Sequence, residues 1–115
     1  MDKYIIKIIL LKGCYYSNLA KQLLLNNNLP CKIIEVDYEN KNLYKTDKIQ
    51  TYPQIYLIKK NSIGNLLLGG CNDLEFIIKT FKNVEYNINN VNNFIEKYKW
   101  SKKATLRLIE LINKK

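Results

Sequence analysis

The chain contains no histidine. That absence excludes Cys–His and Ser–His catalysis within one chain, and with it the usual Cys/His zinc sites. Cysteine is sparse and odd in number, with only Cys14, Cys31 and Cys71 among 115 residues. Three scattered thiols cannot close a four-ligand metal site, and they do not make the framework of a disulfide-stapled secreted domain. Long hydrophobic runs are also missing. The longest N-terminal run, "YIIKIILL" from Tyr4 to Leu11, is too short to cross a bilayer and is interrupted by Lys7. It is not followed by the small-residue cleavage site of a signal peptide. The run reads as a buried strand, and the expected setting is a reducing, cytoplasmic one with no membrane partner.

What is present describes one globular domain. A length of 115 residues with 47% hydrophobic and 25% charged side chains supports a packed core. The formal charge is +9 and the sequence pI is near 9.4. Nucleic-acid binding is one reading of that charge. Lysine, however, supplies nearly all of it, with Arg107 the only arginine, and Asn and Ile are abundant too. These three residue types share A/T-rich codons, so coding bias accounts for much of the excess, and nucleic acid is not the expected partner. The positive field still favours small anionic ligands and acidic partners.

Lys3 to Leu11 has the apolar character of a central strand. Leu19, Ala20, Leu23 and Leu24 then recur at helical spacing, with Ser17 and Asn18 in the first turn. "NNNLP" ends that helix, and Cys31 to Asp37 reads as a second strand. A strand, a helix and a strand in this order predict a right-handed unit with parallel strands. The polar stretch from Glu39 to Gln50 is poorly periodic, with a short helix expected around Lys41 to Lys48. Gln54 to Leu68 reads as an antiparallel hairpin stopped by Gly69 and Gly70. Leu74, Ile77, Ile78 and Phe81 lie on one face of a following helix, with Asp73 and Glu75 in its first turn. The tail changes texture. "NVEYNINNVNN" is Asn-rich, a linker or a helix lead-in, and two short helices follow. Ser101 caps the last, and Ala104, Leu108, Leu111 and Ile112 form its apolar stripe beside Ile109.

Three loops carry the chemistry: "KGCYYS", "TYPQIYL" and "GGCND". Each is common alone. Their order and their strand-to-helix context are more specific, because the strands bring all three to one edge. Cys14 precedes a helix and lies two residues from Lys12. A helix N-terminus and a nearby cation are the ways left to lower a thiol pKa when no histidine is present. The alternative for Cys14 is a small hydrophobe packed at a helix start.

These segments resemble the glutaredoxin family, of thioredoxin-like fold. Cys14-Tyr15-Tyr16-Ser17 looks like its C-x-x-C or C-x-x-S active site. Thr51-Tyr52-Pro53-Gln54-Ile55 is similar to its T-V-P-Q-I segment, and Gly69-Gly70-Cys71-Asn72-Asp73-Leu74 to its G-G-C-x-D-L segment. The resemblance covers about residues 4 to 81. It implies an α/β fold with a four-stranded mixed sheet flanked by helices, here residues 1–82. Residues 83–115 would be additional C-terminal helices packed on that domain, docked on a partner, or dimerising.

The family likeness implies that Cys14 is the catalytic nucleophile, supported by Lys12, Tyr16 and Ser17. It implies glutathione held by Lys12, Gln50, Thr51, Tyr52, Pro53, Gly70, Cys71, Asn72 and Asp73. The Tyr52–Pro53 bond would be cis, exposing the Tyr52 backbone so that glutathione pairs with it like a short added strand. The helix start at Cys71 to Asp73 suits a carboxylate, and Asp73 an ammonium group. A serine at position 17 cannot resolve a mixed disulfide as a thiol does. The implied activity is therefore a monothiol one: Cys14 takes glutathione from a protein–glutathione disulfide, and a second glutathione releases it. Cys71 is an alternative resolver or a plain helix-start cysteine, and Cys31 is structural.

The sequence departs from the family's pattern in places. Leu11 stands where the family usually carries a basic residue, with Lys12 one step closer to the thiol. Tyr15 replaces the common proline. Two other functions stay open. One is a homodimer bridged by a 2Fe–2S iron–sulfur cluster, ligated by Cys14 of each chain and two glutathiones, although the C-G-F-S site of cluster carriers is absent. A monomer would hold no metal. The other is an interaction module using the basic tail. The expected partners are glutathione and glutathionylated or disulfide-containing proteins.

Overall fold

The computed structural model describes residues 4–60, 64–82 and 87–113. Strand β1 (Tyr4–Leu11) is the first of two central strands, and its alternation sorts the sheet into two faces. Ile6, Ile8 and Leu10 point one way and are almost fully buried. Ile5, Lys7 and Ile9 point the other way. Helix α1 (Tyr15–Asn26) returns the chain to β2 (Cys31–Val36), which pairs in parallel with β1, Ile8 standing beside Ile33. Strand β3 (Gln54–Lys59) lies antiparallel on the other side of β1, with Ile55 opposite Ile8 and Leu57 opposite Ile6. Strand β4 (Asn65–Gly69) pairs antiparallel with β3, and the register shifts between Ile55 and Tyr56. The sheet order is β2-β1-β3-β4. Helices α2 (Cys71–Phe81), α3 (Ile88–Tyr98) and α4 (Lys102–Asn113) follow.

This is the expected four-stranded mixed sheet flanked by helices, with thioredoxin-like strand order and pairing. Its core is one cluster. Ile6, Ile8, Ile55 and Leu57 of the sheet meet Ala20 and Leu24 of α1, and Leu74 and Ile77 of α2. Val91 and Phe94 of α3, Trp100, and Leu108 and Ile112 of α4 join the same cluster. Burial of such side chains is the main favourable term in folding, roughly 1.5–3 kcal/mol each. The tail is also tied down by polar contacts. Trp100 Nε1 donates to the Leu67 carbonyl at 3.1 Å, Lys82 Nζ to that of Ile112 at 2.9 Å, and Asn113 Nδ2 to that of Phe81 at 2.9 Å. The Phe94 ring stacks on Tyr98 with centroids 4.4 Å apart and meets Phe81 and Trp100 edge-on. Ser101 caps α4 as expected, its Oγ accepting from Ala104 N at 3.1 Å.

One sequence expectation fails. No helix forms over 41–48; a single 3₁₀ turn at Tyr38–Asn40 is followed by turns and bends. The reason is local. Thr46 Oγ1 accepts from the N–H groups of Lys48 and Ile49, a side-chain turn that competes with helix bonding. The stretch also has no apolar face to bury, and Leu43 is 73% exposed. Smaller differences lie at element ends. Lys60 falls outside β3, Asp37 outside β2, and Gly69 inside β4. The expected hairpin turn at 61–63, the start of the lead-in at 83–86 and Lys3 lie outside the described residues.

Candidate functional site

Strand β1 ends in a tight turn at Lys12-Gly13, where Gly13 has φ +79°, a conformation that favours glycine. The Cys14 N–H donates to the Leu11 carbonyl at 3.1 Å, and Cys14 becomes the N-cap of α1. Its half-buried thiol therefore faces the unpaired N–H groups of the first helical turn. Burial pushes the Cys14 pKa up. Hydrogen bonds from the Ser17 N–H, the Ser17 hydroxyl and the Tyr16 N–H outweigh that and hold it below the ordinary thiol value.

Ser17 is fully buried. Its Oγ accepts from Leu11 N at 3.1 Å, so the same hydroxyl that reaches the thiol also fastens the end of β1 to α1. Lys12, expected beside the thiol, turns outward. Its Nζ pairs with Asp37 at 3.0 Å, both side chains more than half exposed. Hydrogen bonding to Asp37, then its charge, raises the Lys12 pKa. The groups that lower the Cys14 pKa belong to the helix start.

The Tyr52–Pro53 bond is cis, as the resemblance implies. The Tyr52 carbonyl lies 4.0 Å from Cys14 Sγ. From there a groove of about 450 Å³ runs toward the start of α2. Tyr16, Thr51, Tyr52 and Pro53 line it on one side, and Gly70, Cys71, Asn72 and Asp73 on the other. Lys48, Ile49, Leu67 and Gly69 complete its wall. Gln50 and Lys12 do not line it, and Cys14 meets it through Tyr52. The structure thus brings eight of the predicted glutathione and supporting residues into this groove and leaves Lys12, Ser17 and Gln50 out of its lining, with Ser17 beside the thiol instead.

Asp73 anchors the far end. Its Oδ2 accepts from Gly70 N at 2.9 Å, closing the N-terminus of α2. That return needs Gly69, which has φ +138° and whose absent side chain would collide with the Asp73 carboxylate. Asp73 Oδ1 accepts from the Tyr98 hydroxyl at 2.7 Å, a contact supplied by the C-terminal region. Burial and then the Asp73 hydrogen bond drive the Tyr98 phenol pKa far up, so it remains a donor. Cys71 is almost fully buried. Burial, Glu75 and the neighbouring Cys14 all raise its pKa. Burial likewise raises that of Cys31 at the start of β2.

Two polar residues of the site were not identified from the sequence. Gln54 is fully buried and donates from Nε2 to the Tyr44 carbonyl at 2.9 Å while accepting from the Tyr56 hydroxyl at 3.0 Å. It holds the 41–50 segment against the sheet. Tyr98 carries no local sign of a role, since only the packing of α3 brings it to Asp73. No group of three or more His, Cys, Asp or Glu residues gathers into a metal site among the described residues. Among those residues, no helix is long and apolar enough to cross a membrane.

Fold and site together describe a thioredoxin-like protein with one activated thiol at a strand-to-helix turn. No family model matches the chain, and no curated protein is found similar to it. Among solved structures it is similar to the crystal structure of glutaredoxin 1 from Francisella tularensis complexed with cacodylate. The identity is 25%, covering 68% of this chain and 95% of that one, with a TM-score of 0.47. The fold class rests on the strand order and pairing of this chain itself.

Proposed function

We propose that the protein is a glutathione-dependent thiol–disulfide oxidoreductase that reduces protein–glutathione mixed disulfides through Cys14 alone. The observation that carries this reading is the Cys14 thiol. Its pKa is lowered by Ser17 and Tyr16, and it stands 4.0 Å from the Tyr52 carbonyl at the mouth of a groove closed by Asp73. A thiolate is the attacking species in disulfide exchange.

The Cys14 thiolate attacks the glutathione sulfur of the mixed disulfide. The Cys14–glutathione S–S bond forms, the original S–S bond breaks, and the electron pair leaves on the target protein's sulfur. The Tyr52 backbone pairs with the cysteinyl part of the bound glutathione, and Asp73 with the helix start of α2 receives its γ-glutamyl end. A second glutathione thiolate then attacks the glutathione sulfur, regenerating the Cys14 thiolate and releasing oxidised glutathione. Ser17 cannot enter this exchange; it supports the thiolate instead. Cys71, with a raised pKa and little exposure, is a poor competitor as nucleophile.

The test is turnover of the mixed disulfide of glutathione and cysteine, with mass analysis of the protein. Glutathione is expected on Cys14, with activity retained in Cys71→Ser and lost in Cys14→Ser. Activity that survives Cys14→Ser overturns the reading.

A further inference from the structure

On the sheet face opposite the core, the 41–50 segment covers Ile9 and Gln54, which are buried, and leaves Lys7 and Tyr56 only partly covered. A groove of about 830 Å³ runs over this face, and its lining includes Lys7, Lys48, Lys97 and Lys99, with Asp47 as its sole carboxylate. The lysines come from β1, the 41–50 segment and the end of α3, so the charge is spread along the groove rather than gathered at one point. Lys48, Lys97 and Lys99 make no ion pair among the described residues. The groove floor carries the Tyr56 ring, and Lys48 and Leu67 line both this groove and the one beside Cys14.

We infer that this face docks an acidic, extended segment of the partner protein whose sulfur reaches Cys14. Distributed ammonium groups fit several carboxylates in a row better than one small anion, and complementary charge steers such partners together. A second copy of this chain does not fit, since each carries a net charge of +9. The junction at Lys48 and Leu67 places a segment lying in this groove beside the thiol groove, which favours a sulfur-bearing protein over a nucleic acid. The direction toward Cys14 rests on the oxidoreductase reading proposed above; the docking itself does not.

The experiment uses the full chain and a fluorescent, cysteine-free peptide alternating glutamate with apolar residues, read by anisotropy. Binding should weaken in high salt and with the Glu→Gln peptide. Lys97→Glu/Lys99→Glu should weaken it about tenfold, and so, to a lesser degree, should Lys7→Glu, which guards against a folding defect in the first variant. Lys79→Glu/Lys102→Glu, with the same change of net charge away from the groove, should have little effect. Equal binding of the acidic and neutral peptides, equal loss in the control pair, or tighter binding of a single-stranded oligonucleotide overturns the proposal. A second arm compares glutathione mixed disulfides of an acidic peptide and of free cysteine. Lys97→Glu/Lys99→Glu should lower kcat/KM about tenfold for the peptide only. If neither disulfide turns over, the oxidoreductase reading fails while the anisotropy still decides the docking.

Discussion

The Tyr98 hydroxyl donates a 2.7 Å hydrogen bond to Asp73 Oδ1, joining the last turn of α3 to the first turn of α2. The other oxygen of Asp73 is held by Gly70 N at 2.9 Å. The carboxylate proposed to receive the γ-glutamyl ammonium is therefore oriented from both sides, once by the Gly69-Gly70 turn and once by the tail.

Tyr98→Phe removes one of these contacts and keeps the ring that stacks on Phe94. A hydrogen bond to a carboxylate contributes about 1.5–3 kcal/mol net. KM for the glutathione mixed disulfide should rise about tenfold or more, with kcat nearly unchanged, because the orientation serves binding rather than the attacking sulfur. Steady-state kinetics on the wild type and the variant check this split, and a parallel fall in kcat would refute it.

Alkylation of Cys14 by iodoacetamide should show a midpoint below the ordinary thiol value of about 8.5. Ser17→Ala should move that midpoint upward, since it removes the Ser17 hydroxyl contact that favours the thiolate while keeping the Ser17 N–H. The same variant leaves the Leu11 N–H without its acceptor and should cost about 1–2 kcal/mol in urea unfolding. The linkage has a definite sign. A depressed thiol pKa adds stability that is full above the unfolded value and is lost as pH falls through the folded one. Wild type should therefore gain stability over Cys14→Ala as pH rises across that window.

Lys12→Ala should leave the alkylation midpoint of Cys14 where it is. The ammonium is engaged by Asp37 in an exposed pair, and such pairs are strongly screened. KM for the glutathione mixed disulfide should change by less than about twofold. A clear upward shift of the midpoint would restore Lys12 to the site.

Leu108→Ala should cost about 2–5 kcal/mol, because Leu108 is fully buried in the common core. Leu43→Ala, at a side chain 73% exposed, should fall within about 0.5 kcal/mol of wild type. Denaturant unfolding of the two variants measures whether the C-terminal helices are part of the cooperative unit.

Much of the fold was legible because periodicity survives in one dimension. The apolar run of β1, the face of Leu74, Ile77, Ile78 and Phe81, and the stripe of Ala104, Leu108, Leu111 and Ile112 all appear in the structure as read. The 41–48 segment was misread because its polar residues carry no period, and a threonine turn prevails there. Cys14, the proline segment and the Gly-Gly turn were legible because each has a short local pattern. Lys12 was not, since chain proximity to a thiol does not say which way a long flexible side chain points. Gln54 and Tyr98 left no local trace at all.

The sequence by itself determined the order of strands and helices, the absence of histidine chemistry, and the placing of Cys14 at the turn from the first strand to the first helix. Those follow from residue type and spacing along the chain. Only the tertiary structure decided that Lys12 pairs with Asp37, that Gln54 pins the 41–50 segment, that Tyr98 reaches Asp73, and that a groove beside that segment is lined by lysines. Each of these joins residues distant in sequence or turns on a choice among side-chain directions. Packing of the whole core settles such choices, and no local pattern records them.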